Sequence, residues 1–234
     1  MSIVISVIIL ILSMLISFCL QLTPGTFALF YHYALGKTNS KKADDQSLSF
    51  ILGVEIFITA IWLLIYLSIF LFFYYNFSFS NIIFYIMAGV FLAEAIIAPF
   101  LYYRKGKSTA LFIPRHVAKG ISSRVAKIKN RSDCVLLGAL IGVFELIFTL
   151  PLFIISASIL LNFSAFPRVL AIALYLTLSV LPLFIIRCSF RLGHNLADIE
   201  RFRVKIKPVI KITLCVSFLL LSLATIYLGV LNNG

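Results

Sequence analysis

Apolar residues dominate this chain in long runs that polar residues interrupt at only a few places. Along these runs apolar and polar positions do not alternate as they do in half-buried strands. Each run is long enough for a membrane-spanning helix of about 20 residues. The six runs cover residues 2–35, 47–75, 81–103, 134–162, 167–190 and 208–231. The pattern predicts an all-α, polytopic membrane protein with six transmembrane helices.

Composition supports a lipid environment for most of the surface. Hydrophobic residues make up 62% of the chain and charged residues only 12%, whereas soluble domains carry roughly 25% charged residues. No polar segment is long enough for a separate soluble domain. The first run resembles a signal peptide in position, but it lacks a basic start and exceeds the usual apolar core of about 7–15 residues. We therefore expect it to be retained as the first span.

The basic residues predict the orientation of the spans. All but one of the 20 lysines and arginines fall before span two, between spans three and four, or around the loop between spans five and six. The exception is Arg168. The positive-inside rule makes the basic side cytoplasmic, so both termini are expected outside the cell membrane. The net charge of +12 is thus a topology signal, and no soluble basic module indicates a nucleic-acid partner.

The basic segment 104–133 contains a possible amphipathic helix. Val117, Ile121, Val125 and Ile128 are spaced by four, four and three residues, with basic residues between them. Such a helix would lie on the anionic lipids of the inner leaflet. A solvated loop that only sets topology is the alternative, and the sequence leaves both open.

The spans divide into two transmembrane repeats joined by this linker. The predicted units are residues 1–103, with three spans, the linker 104–133, and residues 134–234, with three spans. An odd number of spans in each half forces the halves to insert in opposite orientations. This is the inverted-repeat plan of many transporters.

A proline interrupts the first span of each half. Thr23, Pro24 and Gly25 stand in the first, and Thr149 and Pro151 stand in the second. Proline removes a backbone N–H and frees a carbonyl four residues earlier, and in lipid such groups must be satisfied by protein, water or ligand. Two matched breaks predict broken first helices around a central polar cavity. Simple proline kinks are the alternative.

Three glutamates lie within the apolar runs. Counted from the cytoplasmic ends, Glu55, Glu94 and Glu145 lie at depths of roughly 12, 14 and 16 Å, near a midplane about 15 Å down. Gly138 and Gly142 share a face with Glu145 and allow close helix packing. Unpaired charges there are costly, so each carboxyl is either protonated and hydrogen-bonded or joined by a cation. The sequence predicts a shared cation or proton site, with an uncertain metal and no His or Cys cage.

Two short motifs resemble the lysine-exporter superfamily of six-span membrane proteins. LTPG at 22–25 is similar to the motif that opens its amino-acid exporters. LLGALIGVFELIFTLPLF at 136–153 looks like its thiol-disulfide interchange and cytochrome c biogenesis members. The resemblance implies two three-span halves with a proline motif in each, and the superfamily also includes metal exporters. The thiol-handling members carry a cysteine beside each proline, which this chain lacks.

The function expected from these features is secondary export of a small cation through a carboxylate-lined site. The alternatives are an amino-acid exporter, a relative of the thiol-disulfide proteins without its thiol relay, and an interaction scaffold. No enzymatic residue arrangement faces water and no ATP-binding loop is present, so we expect neither catalysis nor a cofactor. The expected partners are the ion or small-molecule substrate and the lipid bilayer, with a homodimer left open.

Overall fold

The structure is a bundle of long α-helices. It is a computed structural model that describes residues 3–22, 40–74, 81–103, 130–192 and 196–231, together with 120, 123–125 and 128. The helices are α1 (Ile3–Gln21), α2 (Ser40–Tyr74), α3 (Asn81–Tyr103), α4 (Arg131–Leu160), α5 (Ala165–Arg191) and α6 (Leu196–Leu231). No strand occurs within the described ranges. The prediction of an all-helical protein is confirmed.

Several helices are long and apolar enough to cross a membrane. Four qualify directly: α1, the segment 44–72 of α2, α5, and the segment 208–230 of α6. The bent helix α4 makes a fifth if its two halves form one span, and α3 contains a shorter apolar stretch at 83–97. The chain is therefore a multi-pass membrane protein by the length and composition of its helices.

The predicted span boundaries differ from the helices mainly near the basic segments. Helix α3 covers the predicted span 81–103, whereas α6 begins at Leu196, well before the predicted start at 208. The basic segment ahead of residue 208 is thus helical and continuous with α6. The first predicted span extends to residue 35, but α1 ends at Gln21 and residues 23–39 lie outside the described chain.

Two tightly packed helix pairs organise the bundle. In the first pair, α2 and α4 run in the same direction, because Gly53 lies against Val135 and Gly142 lies against Phe57. A side chain at Gly138 would meet the backbone of Phe50 and Val54. The glycines predicted to allow close packing therefore face α2.

The second pair, α3 and α6, is antiparallel. Gly229 lies against Phe84 and Tyr85, and the Ser222 hydroxyl donates to the Ala88 carbonyl at 2.9 Å. Phe91 stacks on Phe218 deeper in the same interface. Helix α1 contacts α4, α5 and α6, so it joins the two pairs.

Ion pairs mark one end of the bundle. Asp44, near the start of α2, accepts from the Nε and Nη2 atoms of Arg187 at 3.0 and 2.9 Å. Asp45 pairs with Arg131 at the start of α4. We call this the ion-pair end; it carries the residues that the sequence assigns to the cytoplasmic side.

Arg168 lies at the opposite end and closes the turn between α4 and α5. Its guanidinium donates to the carbonyls of Leu161 and Phe163 at 3.1 and 2.6 Å, and to the Tyr66 hydroxyl at 3.3 Å. The carbonyls at a helix C-terminus have no partners within the helix, and a cation there is favourable. Arg168 therefore has a structural role at this end.

The outer surface of the bundle is apolar and its interior contains polar side chains. Leu136, Ile147 and Phe166 are 69%, 75% and 79% exposed, while Gln21 and Glu145 are 2% and 3% exposed. An exposed apolar surface of this extent is typical of contact with lipid rather than water. Buried polar groups in such a protein are a default indication of function.

The linker is described only in part. Val117 and Ile121 lie outside the described residues, but Val125 is buried and Ile128 packs against the helix core. These two apolar side chains therefore face protein rather than a lipid surface. Residues 120 and 123–125 are helical, and contact of the linker with the membrane stays a prediction.

Candidate functional site

The candidate site is built around a sharp bend in α4. The segments 131–143 and 145–160 of this helix meet at an angle of 68°. The sequence predicts the break at Pro151, but Pro151 lies inside the second segment. The bend instead places Glu145 at the junction of the two halves.

Local interactions around Glu145 explain why the bend falls there. The first half of α4 is held against α2 by its glycines. At the junction, the Thr149 hydroxyl donates to the Glu145 backbone carbonyl at 3.1 Å. A hydroxyl that competes for an i−4 carbonyl bends helices, and glycine nearby lowers the resistance to bending. Thr149 therefore acts on the carbonyl of Glu145, not on the carbonyl of Ile147 that Pro151 frees.

The Glu145 carboxyl meets the C-terminal end of α1. Gln21, the last residue of α1, donates through Nε2 to Glu145 Oε2. Both side chains are buried, and Gln21 Oε1 and Glu145 Oε1 have no hydrogen-bond partner among the described residues. No salt bridge to Glu145 occurs there either. The pair is thus a polar site in the bundle interior with unused capacity for a proton, a water or an ion.

Gln21 is not among the site residues that the sequence predicts. A signal for it exists, because Ser6, Ser13, Ser17 and Gln21 are spaced by seven, four and four residues in an otherwise apolar helix. This spacing places them on one helix face. All four are buried.

The other two predicted glutamates occupy different surroundings. Glu94 on α3 is buried, and its Oε2 atom has no partner among the described residues. Glu55 on α2 is half-buried, and its Oε2 atom has no hydrogen-bond partner among the described residues. The register of α2 against α4 places Glu55 nearer the ion-pair end than Glu145.

The described residues do not bring the three glutamates together as a metal site. Among them, no group of three His, Cys, Asp or Glu side chains is arranged to hold one metal ion. Glu145 contacts Gln21 of α1, whereas the register of α2 against α4 places Glu55 nearer the ion-pair end. The predicted proline motif of the first span, Thr23, Pro24 and Gly25, lies outside the described residues.

A surface cavity also occurs at the ion-pair end. It has a volume of about 260 Å³ and is lined by Arg124, Ile128, Asp133, Leu136 and Leu137. These residues belong to the linker and the first turns of α4, so this cavity is separate from Glu145.

Comparison of the chain with protein-family models, with curated proteins and with solved structures gave no match. The resemblance to the lysine-exporter superfamily therefore stays a hypothesis based on two short motifs.

Proposed function

We propose that this chain is an integral membrane secondary transporter for a small cation, with Glu145 as the group that binds the ion. The single observation that carries the proposal is the placement of Glu145. Its carboxyl is 3% exposed, lies at a helix bend in the bundle interior, and has Gln21 as its hydrogen-bond donor. Bundle-interior carboxyls at helix interruptions are characteristic of ion pathways.

Electrostatics support a role in binding a cation. A charged side chain at the bilayer centre costs about 2.5–3.5 kcal/mol on the insertion scale. The amide of Gln21 is neutral, and the C-terminal end of α1 carries a partial negative charge. These surroundings attract a positive ion or a proton and do not supply one, so the carboxyl is suited to take up and release a cation.

The helix pairing supports six spans in two inverted repeats. A two-fold axis in the membrane plane would relate α1, α2 and α3 to α4, α5 and α6. Helices α3 and α6 are antiparallel, as are α2 and α5, since Asp44 contacts Arg187 and Tyr66 contacts Arg168. Antiparallel pairing of α2 with α5 and of α3 with α6 is what such an axis requires. In this arrangement α3 also crosses the membrane, which brings the number of spans to six. We place the ion-pair end in the cytoplasm and both termini outside.

The proposal is tested with purified protein in liposomes. Fluxes of protons, Na⁺, K⁺, Mg²⁺ and Mn²⁺ would be measured for the wild type and for Glu145→Gln. Glutamine keeps the volume and can still accept from Gln21, but it carries neither charge nor a transferable proton. We expect Glu145→Gln to abolish the flux that the wild type shows.

Asp45→Asn is the matched control, since it removes a carboxyl at the exposed ion-pair end and should retain transport. Wild-type flux in Glu145→Gln would refute the role of this carboxyl. A wild-type protein that moves none of the five ions would refute cation transport.

A further inference from the structure

Buried hydroxyl groups continue from the Glu145–Gln21 pair toward the end of the bundle where α1 begins. The Ser17 hydroxyl, one turn before Gln21, lies 2.8 Å from the Tyr175 hydroxyl of α5. Ser156 of α4 lies next to Tyr175, and its hydroxyl donates to the Leu152 carbonyl of its own helix. Three helices thus contribute buried polar groups to the interior of an apolar bundle. We call these groups the polar column: Ser13, Ser17, Gln21, Glu145, Ser156 and Tyr175.

The members of the polar column are buried and not fully paired. Ser13, Ser17, Ser156 and Tyr175 are each at most 2% exposed. The hydroxyl of Ser13 has no hydrogen-bond partner among the described residues, and neither does the indole nitrogen of Trp62, whose ring packs against Tyr175. Burying an unsatisfied polar group costs about 1–3 kcal/mol. Several such groups side by side favour bound water in this region.

The spacing along the column fits single bridging waters. Residues four apart on a helix are separated by about 6 Å, which two hydrogen bonds of about 2.8 Å each can span through one water. Ser13, Ser17 and Gln21 follow each other at this interval. This interval is the spacing of hydroxyls bridged by single waters.

We propose that the polar column is a hydrated proton pathway that connects Glu145 to the end of the bundle where α1 begins. This inference rests on the proposed function, and it assigns the proton as the ion that uses this route. The chemistry is a series of proton transfers without oxidation or reduction. Each hydroxyl or water accepts a proton on its oxygen and passes its own proton to the next oxygen. The last transfer, from a bridging water, forms an O–H bond on Glu145 Oε1, the carboxylate oxygen that does not accept from Gln21.

A proton suits these groups better than a metal ion does. Serine and tyrosine hydroxyls both donate and accept hydrogen bonds, as a proton chain requires. A hard divalent cation needs about six or more oxygen ligands around one point, whereas the column offers its groups one after another along a line. The described residues also contain no three-ligand group.

The hydration of the column can be tested on the wild-type protein by radiolytic hydroxyl-radical labelling in liposomes. Radicals formed from bound water oxidise the side chains next to it. Phe153 contacts Tyr175 and Phe218 lies outside the column against Phe91; both are buried, at 2% and 0% exposure. We expect oxidation of Tyr175 and Phe153 but not of Phe218. Unmodified Tyr175 and Phe153 would refute a hydrated column, whatever the protein transports.

Proton flux in the same liposomes tests the pathway itself. Tyr175→Phe removes only the hydroxyl and should lower proton flux at least about 100-fold, the scale on which a positioned proton-transfer group acts. Ser17→Ala should also lower it. Thr177→Val on the same helix removes an exposed hydroxyl that donates to the Ala173 carbonyl of its own helix, and proton flux should stay at the wild-type level.

The two proposals can fail separately. Wild-type proton flux in Tyr175→Phe and Ser17→Ala, together with loss of flux in Glu145→Gln, would overturn the pathway and leave the role of Glu145 intact. Wild-type flux in all three variants would overturn both.

Discussion

Gly138 and Gly89 both lie within helices, but one is packed against a neighbouring helix and the other is not. The two residues therefore allow a matched test of helix packing. A Cβ atom at Gly138 would overlap the backbone of Phe50 and Val54 on α2, whereas one at Gly89 would meet no atom within 4 Å. Overpacking costs about 1–3 kcal/mol, and backbone atoms cannot move aside as a flexible side chain can. Gly138→Ala should therefore lower the free energy of unfolding by at least about 1–3 kcal/mol.

Gly89→Ala should leave the stability unchanged or raise it by up to about 1 kcal/mol, because alanine is the better helix former. The measurement is unfolding in detergent, followed by circular dichroism. Equal stability of the two variants would show that α2 and α4 do not approach closely at Gly138.

A functional residue can be predicted from the sequence where its residue type is unusual for the surrounding segment. A glutamate within an apolar run is costly in lipid, so Glu145 could be selected without a structure. Its partner could not, because Gln21 lies 124 positions away in the chain and contacts between distant segments depend on the packing of whole helices. Tyr175 was missed for the same reason, since a tyrosine in a membrane helix is unremarkable until its hydroxyl is seen against Ser17.

The bend in α4 leads to a prediction at the level of one helix. Spin labels at the exposed positions Ser132 and Leu150 would be about 27 Å apart along a straight helix, and a 68° bend shortens this separation by about 4 Å. We expect pulsed electron paramagnetic resonance to give the shorter distance in the wild type. Pro151→Ala should keep it, since the bend lies upstream of the proline. The longer distance in the wild type would show that α4 is straight.

Hydropathy was a good guide to where helices exist but not to where they bend or begin. Helix α3 was predicted at its observed limits because asparagine and the basic residues bound its apolar run. Hydropathy does not predict the start of α6, because the first turns of this helix are charged and have the hydropathy of a loop. The bend was assigned to Pro151 because proline is the strongest local signal. Thr149 belongs to the same predicted motif, but the sequence does not show that its hydroxyl bonds to the carbonyl of Glu145.

At the scale of the whole molecule, the ion-pair end connects helices from both halves of the chain. The Arg187–Asp44 pair is bidentate and mostly buried, with side chains 13% and 22% exposed, whereas the Arg131–Asp45 pair is 71% and 42% exposed. Hydrogen bonds to charged groups contribute about 1.5–3 kcal/mol when partly buried, and exposed pairs contribute less than about 1 kcal/mol.

Arg187→Gln should therefore lower the free energy of unfolding by about 1.5–3 kcal/mol, and Arg131→Gln by less than about 1 kcal/mol. Unfolding in detergent at low and high salt would compare the two variants. A larger loss in Arg131→Gln than in Arg187→Gln would contradict the arrangement of this end.

The orientation in the membrane is predicted from the basic residues and can be tested at the two ends of α4. Ser132 and Ser164 are both exposed and lie at opposite ends of this helix. In a variant without the four native cysteines, Ser164→Cys should react with an impermeant maleimide added outside intact cells. Ser132→Cys should react only after the membrane is opened. The reverse pattern would place the ion-pair end outside the cell.

Transport, as we propose it, depends on a carboxyl held between the end of α1 and the bend of α4. Cation and proton flux through the double variant Gln21→Glu/Glu145→Gln, compared with Glu145→Gln alone, tests this proposal. In the double variant one carboxyl and one amide still face each other, but the carboxyl is on α1 and the amide is on α4. We expect no flux in Glu145→Gln and partial recovery in the double variant. Undiminished flux in Glu145→Gln would contradict the claim.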